Sequence, residues 1–423
     1  MKPAKSSRGL LFFALVGLCW GSAQAQMAPG SDVDSLLALA RENNPDYAGT
    51  RHEAAAAAQR VEAAGALSDP RLRTELMDVT RGGEQSATLL PGRAGSTRYL
   101  LMQDIPWWGK RDLKRELAQR EADGATATAA ASWNDLAAQI RTLHAQRYYL
   151  AHRERLTREI LDLLVRLEGV AQLRYASGLA AQQDVIRAQV EQTTMRNELI
   201  ALDTEQRQLS ARINALLGRP ATAPLASPER LRALPAPAQL DYASLEERAR
   251  ARNPLLAVDS SRIDAAEKSR ELAYKNRYPD FTLGVAPNQF QNELKQWDLM
   301  LEMNIPLQQS SRRAQEREAE AMLAAARSRR EATANRIVGE LAETIAALDA
   351  AQRTGVLVRD SLLPQAELTF RAALAGYENG KLDFATLLDA QRQIRQAKLD
   401  EIRSRAEVHI RVADIERIIG EEL

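Results

Sequence analysis

Cysteine is almost missing from this chain: the single one, Cys19, lies within the first two dozen residues. Everything beyond it is closed to disulfides and thiol chemistry. Charge of one sign is missing too. Lys and Arg number 57 against 56 Asp and Glu, a net charge of +1, which gives no long-range pull toward nucleic acid or an acidic membrane surface. Aromatics make up only 5% of residues while charged residues make up 27%. That balance, rich in Ala, Leu, Glu, Gln and Arg, suits long helices better than a compact mixed core. Past the N-terminus, no apolar run approaches the roughly 20 residues of a membrane-spanning helix.

Recognisable enzyme chemistry is absent as well. There is no HExxH zinc motif, and Gly109-Lys110-Arg111 lacks the upstream glycine and following Ser/Thr of a phosphate-binding loop. The four histidines, His52, His144, His152 and His409, are scattered along the chain, and His144 and His152 are expected at the surface rather than as ligands. Met300 and Met303 are three apart on an expected strand, so they face opposite sides and cannot clamp one soft metal. No metal site, no cofactor and no nucleic-acid partner is expected.

What is there begins with an export signal. Lys2, Lys5 and Arg8 precede the apolar run Leu10–Leu18, and Ala23-Gln24-Ala25 ends it. Residues 1–25 read as a secretory signal peptide. Cys19 follows Leu18 rather than a small residue, which argues against lipidation.

The rest of the chain says the same thing twice. Asn44-Pro45 returns as Asn253-Pro254 and Pro70 as Pro279, both 209 residues later. Gln103-Asp104-Ile105-Pro106 is echoed by Met303-Asn304-Ile305-Pro306 after 200 residues. Tyr175-x-x-Gly178 is echoed by Tyr377-x-x-Gly380, Ala188-Gln189 by Ala390-Gln391, and Leu216-Leu217-Gly218 by Ile418-Ile419-Gly420, all after 202 residues. A period near 200 is too long for a solenoid, so one structural unit was duplicated. The repeats are placed at 26–220 and 241–423, joined by a Pro-rich linker at 221–240.

Each copy reads as a Pro-interrupted helix, two strands, then two long helices. The first copy has strands at about 71–79 and 97–105, joined by a loop with Gly82-Gly83 and Pro91-Gly92, and helices at 107–174 and 182–218. The second has strands at about 281–286 and 296–305, a shorter loop around 287–293, and helices at 310–376 and 384–420, with a local kink expected at Pro364. Trp297, Leu299, Leu301 and Met303 fall on one strand face, and Asp298, Met300, Glu302 and Asn304 on the other. Period two with one apolar face predicts an antiparallel sheet with unlike sides. Periodicity alone fits a small sheet packed on helices equally well.

Four strands cannot close a membrane barrel, which needs at least about eight, and open edges invite mispairing. An exported chain resolves both problems if several copies share one barrel: a dimer supplies eight strands, a trimer twelve. Trp107, Trp108 and Tyr278 fall at strand ends on one side. They are read as a membrane-interface belt, with ordinary core aromatics as the alternative.

On these features the chain resembles the TolC-like outer-membrane efflux family over essentially its whole mature length. The local matches are Gly376-Tyr377-x-x-Gly380 continuing to Leu387-Leu388-Asp389-Ala390, and Gly178 through Asp184-Val185. The resemblance implies a mainly α fold of two repeats: coiled-coil helices forming a periplasmic α-barrel, and four strands per chain in a twelve-stranded outer-membrane barrel. It implies a homotrimer in contact with outer-membrane lipid, serving a periplasmic adaptor and an inner-membrane RND pump. It implies a duct, not an enzyme.

The resemblance also implies a gate where the helix pairs end. Asp184 falls on an acidic lock position and Tyr377 on its partner; Asp389 falls on an acidic constriction ring. Thr386 and Leu382 replace the family's second ring position and its basic lock residue. Asp184 reads equally well as a first-turn helix acid, and Asp383 as a helix cap. Gly178, Leu179, Gly380 and Lys381 form the tips that would meet the adaptor. Pro106-Trp107-Trp108-Gly109-Lys110-Arg111 is similar to a stretch in members serving heavy-metal cation pumps, which favours metal export over drug export or type I secretion. A periplasmic coiled-coil scaffold is the competing reading from a different class.

Overall fold

The computed structural model describes residues 29–79, 88–91, 93–290 and 293–423. The signal segment with Cys19, the Gly82-Gly83 turn and Gly92 lie outside the described residues. Helix α1 (Val33–Asn43) begins at Asp32, whose carboxylate accepts from the Ser35 amide. Asn44 then ends α1 and caps α2 (Pro45–Gly65), with Pro45 at the first helical position, where a missing N–H costs nothing. Strands β1 (Arg71–Met77) and β2 (Ser96–Ile105) lead into α3 (Lys110–Ala176) and α4 (Gln182–Leu216).

After the linker the order recurs: α5 (Tyr242–Arg252), α6 (Pro254–Lys275), β3 (Phe281–Phe290), β4 (Glu293–Met303), α7 (Gln309–Leu357), α8 (Leu363–Glu378) and α9 (Phe384–Ile419). At 67 residues, α3 is about 100 Å long. Its counterpart is divided. A π turn over Val358–Leu362 separates α7 from α8, and the Leu363 amide reaches back five residues to the Val358 carbonyl. Pro364 brings no N–H and crowds the preceding turn, and the wider π turn takes up that mismatch.

One joint is repeated in atomic detail. Gly218 (φ +63°) lies against Asn43 and Gly420 (φ +79°) against Arg252; an added Cβ would meet the Asn43 carbonyl oxygen at 2.5 Å and the Arg252 carbonyl oxygen at 2.7 Å. Beside each glycine a buried asparagine faces two ways. Asn44 Nδ2 donates to the Leu216 carbonyl (2.9 Å) while its Oδ1 accepts from the Tyr47 amide. Asn253 Nδ2 donates to the Ile418 carbonyl (2.7 Å) while its Oδ1 accepts from Leu255 and Leu256. The Asn-Pro and apolar-apolar-Gly landmarks of the sequence are thus two halves of one joint, made twice.

The four strands form one antiparallel sheet in chain order. Leu72, Leu101, Val285 and Leu299 stand in register across it, and Leu283 pairs with Leu301. This face is uncovered: Leu299 is 89% exposed, Leu301 69% and Trp297 68%. The opposite face holds a small cluster of Leu100, Met102 and Ala286, and a polar network. In that network Arg98 lies between Glu75 and Asp298, and Asp104 accepts from Arg71 and Thr282. Apolar outside and polar inside is the arrangement of a barrel wall in lipid, and a sheet packed on helices would bury the leucines.

Several boundaries differ from the sequence reading, and β4 begins at Glu293 rather than 296. β3 continues past Ala286 to Phe290, absorbing most of the expected loop: the ladder to β2 passes from Leu101–Val285 to Arg98–Asn288, and Pro287 falls in the gap. α3 starts at Lys110 rather than Trp107, because Gly109 adopts φ +78° and turns the corner. The helix expected over 310–376 is two helices about the π turn. Among the described residues, no helix is long and apolar enough to cross a membrane.

Candidate functional site at the paired helix tips

The two long hairpins end in turns built alike. In the first, Gly178 (φ +67°) donates to the Tyr175 carbonyl at 3.0 Å and Leu179 to the Arg174 carbonyl at 2.8 Å. In the second, Gly380 (φ +70°) donates to Tyr377 at 3.0 Å and Lys381 to Gly376 at 2.8 Å. Each is the helix stop in which a left-handed glycine lets the last carbonyls be satisfied. Leu179, Gly178, Gly380 and Lys381 are exposed at these ends.

The two tips are fastened together by Arg174. Its guanidinium donates to the carbonyls of Tyr377 (2.7 Å) and Glu378 (2.9 Å) and lies 4.9 Å over the Tyr377 ring. A cation on the open C-terminal carbonyls of α8 is favoured by both hydrogen bonding and the helix dipole. Tyr377 is 2% exposed, packs on fully buried Phe384 with ring centroids 5.2 Å apart, and belongs to the core of α3, α4, α8 and α9. Arg174 was not legible from the sequence, because its partners are backbone carbonyls 203 and 204 residues away. The one available signal was a basic side chain in the last turn of a helix.

The expected Asp184–Tyr377 bond is not made. The Tyr377 hydroxyl is buried and has no hydrogen-bond partner. Burial, and then the Asp184 carboxylate, push its pKa up. Burial likewise raises Asp184, with Arg187 and Arg174 opposing and Asp383 adding. The pair therefore interacts through charge, and Arg174 links the hairpins at their tips.

The other predicted positions separate. Thr386 is bound by the Asp383 cap, its amide 2.9 Å and its hydroxyl 2.5 Å from Asp383 Oδ1. That holds the Asp383 carboxyl below the usual range. Leu382 packs on Gly376, where an added Cβ would meet its Cδ1 at 2.6 Å. Asp389 is exposed and 3.4 Å from Arg392, which also pairs with Glu191 of α4. Its charge is therefore partly met within the chain.

At the other end of the long helices the aromatics gather. Trp107 stacks on Tyr278 (5.0 Å between centroids) and meets Trp108 edge-on (5.0 Å), with Phe281 at 5.9 Å. Trp108 and Tyr278 are exposed. Buried Lys110 donates to Asp280 Oδ1 (2.8 Å) and the Tyr278 carbonyl (3.0 Å), and Asp280 also accepts from the Trp107 amide. Arg111 caps the Gly65 carbonyl, and Lys275 donates to the Trp108 carbonyl. The Pro-Trp-Trp-Gly-Lys-Arg stretch is therefore a corner piece that ties α2, α3 and α6 to the sheet. Among the described residues, no group of three or more His, Cys, Asp or Glu is placed to hold a metal ion.

Known proteins resemble this chain in sequence or in fold. The chain is 26% identical over 374 residues to the cobalt-zinc-cadmium resistance protein CzcC of Cupriavidus metallidurans, covering 85% of this chain and 88% of that one. Its fold matches that of the outer membrane protein VceC of Vibrio cholerae with a TM-score of 0.77, at 18% identity and 92% and 96% coverage of the two chains. It also matches CusC with a TM-score of 0.79, at 16% identity and 99% coverage of both. The description "Outer membrane efflux protein" fits residues 36–219 and 245–421, one match on each copy of the repeated fold. With a sheet apolar on its outer side, two long hairpins and a match over most of its length, the chain belongs to the outer membrane efflux protein family.

Proposed function

We propose that this outer-membrane efflux duct exports heavy-metal cations. The observation that carries the reading is the relation to a cobalt-zinc-cadmium resistance protein over most of both chains. The Pro106–Arg111 corner supports it as a resemblance only, since its side chains are spent on structure. The duct works as a homotrimer, supported by four strands per chain whose outer β1 and β4 edges need partners. A periplasmic adaptor meets the tips at Gly178, Leu179, Gly380 and Lys381, and an inner-membrane RND pump supplies the energy. Trp107, Trp108 and Tyr278 sit at the periplasmic membrane interface, and the Leu299 face meets lipid.

Selectivity then lies with the pump, and the duct's own contribution is closure. We assign the closed tip to Arg174 holding the end of α8, with Asp184 biasing it by charge and Asp389 tempered by Arg392. The test has two arms. Purified protein in planar bilayers should conduct as a trimer, and a deletion strain should lose tolerance to cobalt, zinc or cadmium. A strain sensitised to drugs with unchanged metal tolerance would overturn the cargo and leave the duct.

A further inference from the structure

Far from the tips, two histidines that the sequence separates by 265 positions line one cavity. The expectation of a surface position is wrong for His144, which is 3% exposed. It reaches the cavity from α3 and His409 from α9; the cavity measures about 30 Å3, room enough for a water molecule. His144 hydrogen-bonds the Ser31 backbone, while its Nε2 is buried and unpartnered.

The cavity lies where two irregular segments cross the helical body. Val33, the first residue of α1, lines it just after the N-terminal segment that carries Ser31, and the linker between the repeats supplies Leu231, Arg232 and Ala233. At its two ends the linker is held independently of the cavity: Asn214 Nδ2 donates to the Ala221 and Ala223 carbonyls, Leu225 packs on the core of α1, α3 and α4, and Leu240 packs on that of α5, α7 and α9. Arg147 of α3 donates to the Leu225 carbonyl, Arg232 pairs with Glu416 of α9, and the Ala226 amide donates to the Pro29 carbonyl. Both arginine contacts flank the imidazoles.

Every packed element contributes charge here. From α3 come Arg141 and Arg147, from α1 and its cap Asp32 and Asp34, from the linker Arg232, and from α9 Arg405 and Glu416. Glu416 is already shared by Arg141 and Arg232, and Glu422 also engages Arg141. A proton on either ring would thus join a cluster whose nearest carboxylates are taken. Asp32, the Ser31 backbone hydrogen bond and Asp34 favour charge on His144, against burial and Arg147.

We propose that His144 and His409 form an acid-sensitive clasp that holds the N-terminal segment and the linker on the helical body while both imidazoles are neutral. Burial, then Arg232, His144 and Arg405, bring His409 down to about 4; burial and Arg147 lower His144. A depressed histidine favours the released state once protons bind. The clasp is at full strength above the ordinary value of 6.5 and weakens as pH falls from there toward 4. From pH 7 to pH 5, His409 alone should multiply the released-to-closed ratio roughly 20-fold.

A nitroxide on Ser227→Cys, an exposed linker position, in a Cys19→Ala background reads this in the purified full chain. At pH 7.5 the label should be immobile, and by pH 5 a mobile component should grow by about that factor. The His144→Gln/His409→Gln double variant should lose the dependence. An unchanged spectrum down to pH 5, a label already mobile at pH 7.5, or the same rise in the double variant would overturn the clasp. Histidine NMR titration of the unsubstituted rings is a second check independent of how the variants fold: both titrating near 6.5 would also overturn it. Bilayer conductance reads the duct separately, so failure of the clasp leaves the duct reading intact.

Discussion

The two hairpin tips share a backbone and differ in almost every side chain that matters. Their glycine turns agree to a tenth of an ångström in the bonds that close them. Yet Tyr377 is buried where Tyr175 is 48% exposed. Phe384 is enclosed where Gln182 is exposed. α9 begins on the Asp383 cap, whereas α4 begins at Ala181 with no side-chain cap. Arg174 stands in the first copy where Gly376 stands in the second. The duplication preserved the turn, a backbone problem with one good solution. The side chains then specialised, one tip into a socket and the other into the arm that grips it.

The comparison can be tested first where the copies agree. Gly218→Ala and Gly420→Ala should each destabilise the protein by about 2–4 kcal/mol, from left-handed strain plus a clash with a carbonyl oxygen. Thermal unfolding in detergent reads this, and a harmless substitution at one site alone would mean the joints are not equivalent. Asn44→Ala and Asn253→Ala come next, at about 2 kcal/mol each, since each loses a cap and strands a carbonyl.

The tips should then diverge. Arg174→Ala should shift the closed–open balance by about 1 kcal/mol, a several-fold rise in bilayer conductance. Arg174→Lys should recover part of it, because a point charge replaces a forked donor. Equal conductance for all three proteins would remove Arg174 from the closure. Smallest of all is Tyr377→Phe, expected within about 0.5 kcal/mol of neutral because the hydroxyl it removes has no partner. A large conductance rise there would restore the Asp184–Tyr377 lock.

The architecture was legible because punctuation residues act locally. Asn-Pro pairs, left-handed glycines and strand alternation each state a backbone requirement where they stand, and their recurrence exposed the two copies. Pro287 misled for the same reason: a missing N–H suggests a loop, and only the gap in the β2 ladder shows why a strand tolerates it. The site was less readable because its bonds are long-range. Arg174 binds carbonyls, which every residue carries, so no residue type marks its target. His144 and His409 looked scattered because only the packing of α1, the linker and α9 on α3 brings them together. Thr386 is engaged by the Asp383 cap three residues before it.

The π turn gives the second hairpin a mechanical advantage that the first lacks. From Leu363 to Glu378, α8 is 16 residues long, a rigid arm of about 24 Å. A bend of about 10° at its root would sweep the far end through about 4 Å. That travel exceeds the 2.7 and 2.9 Å lengths of the Arg174 bonds, so a modest angular change far from the mouth suffices to uncouple it. The unbroken α3 has no such pivot.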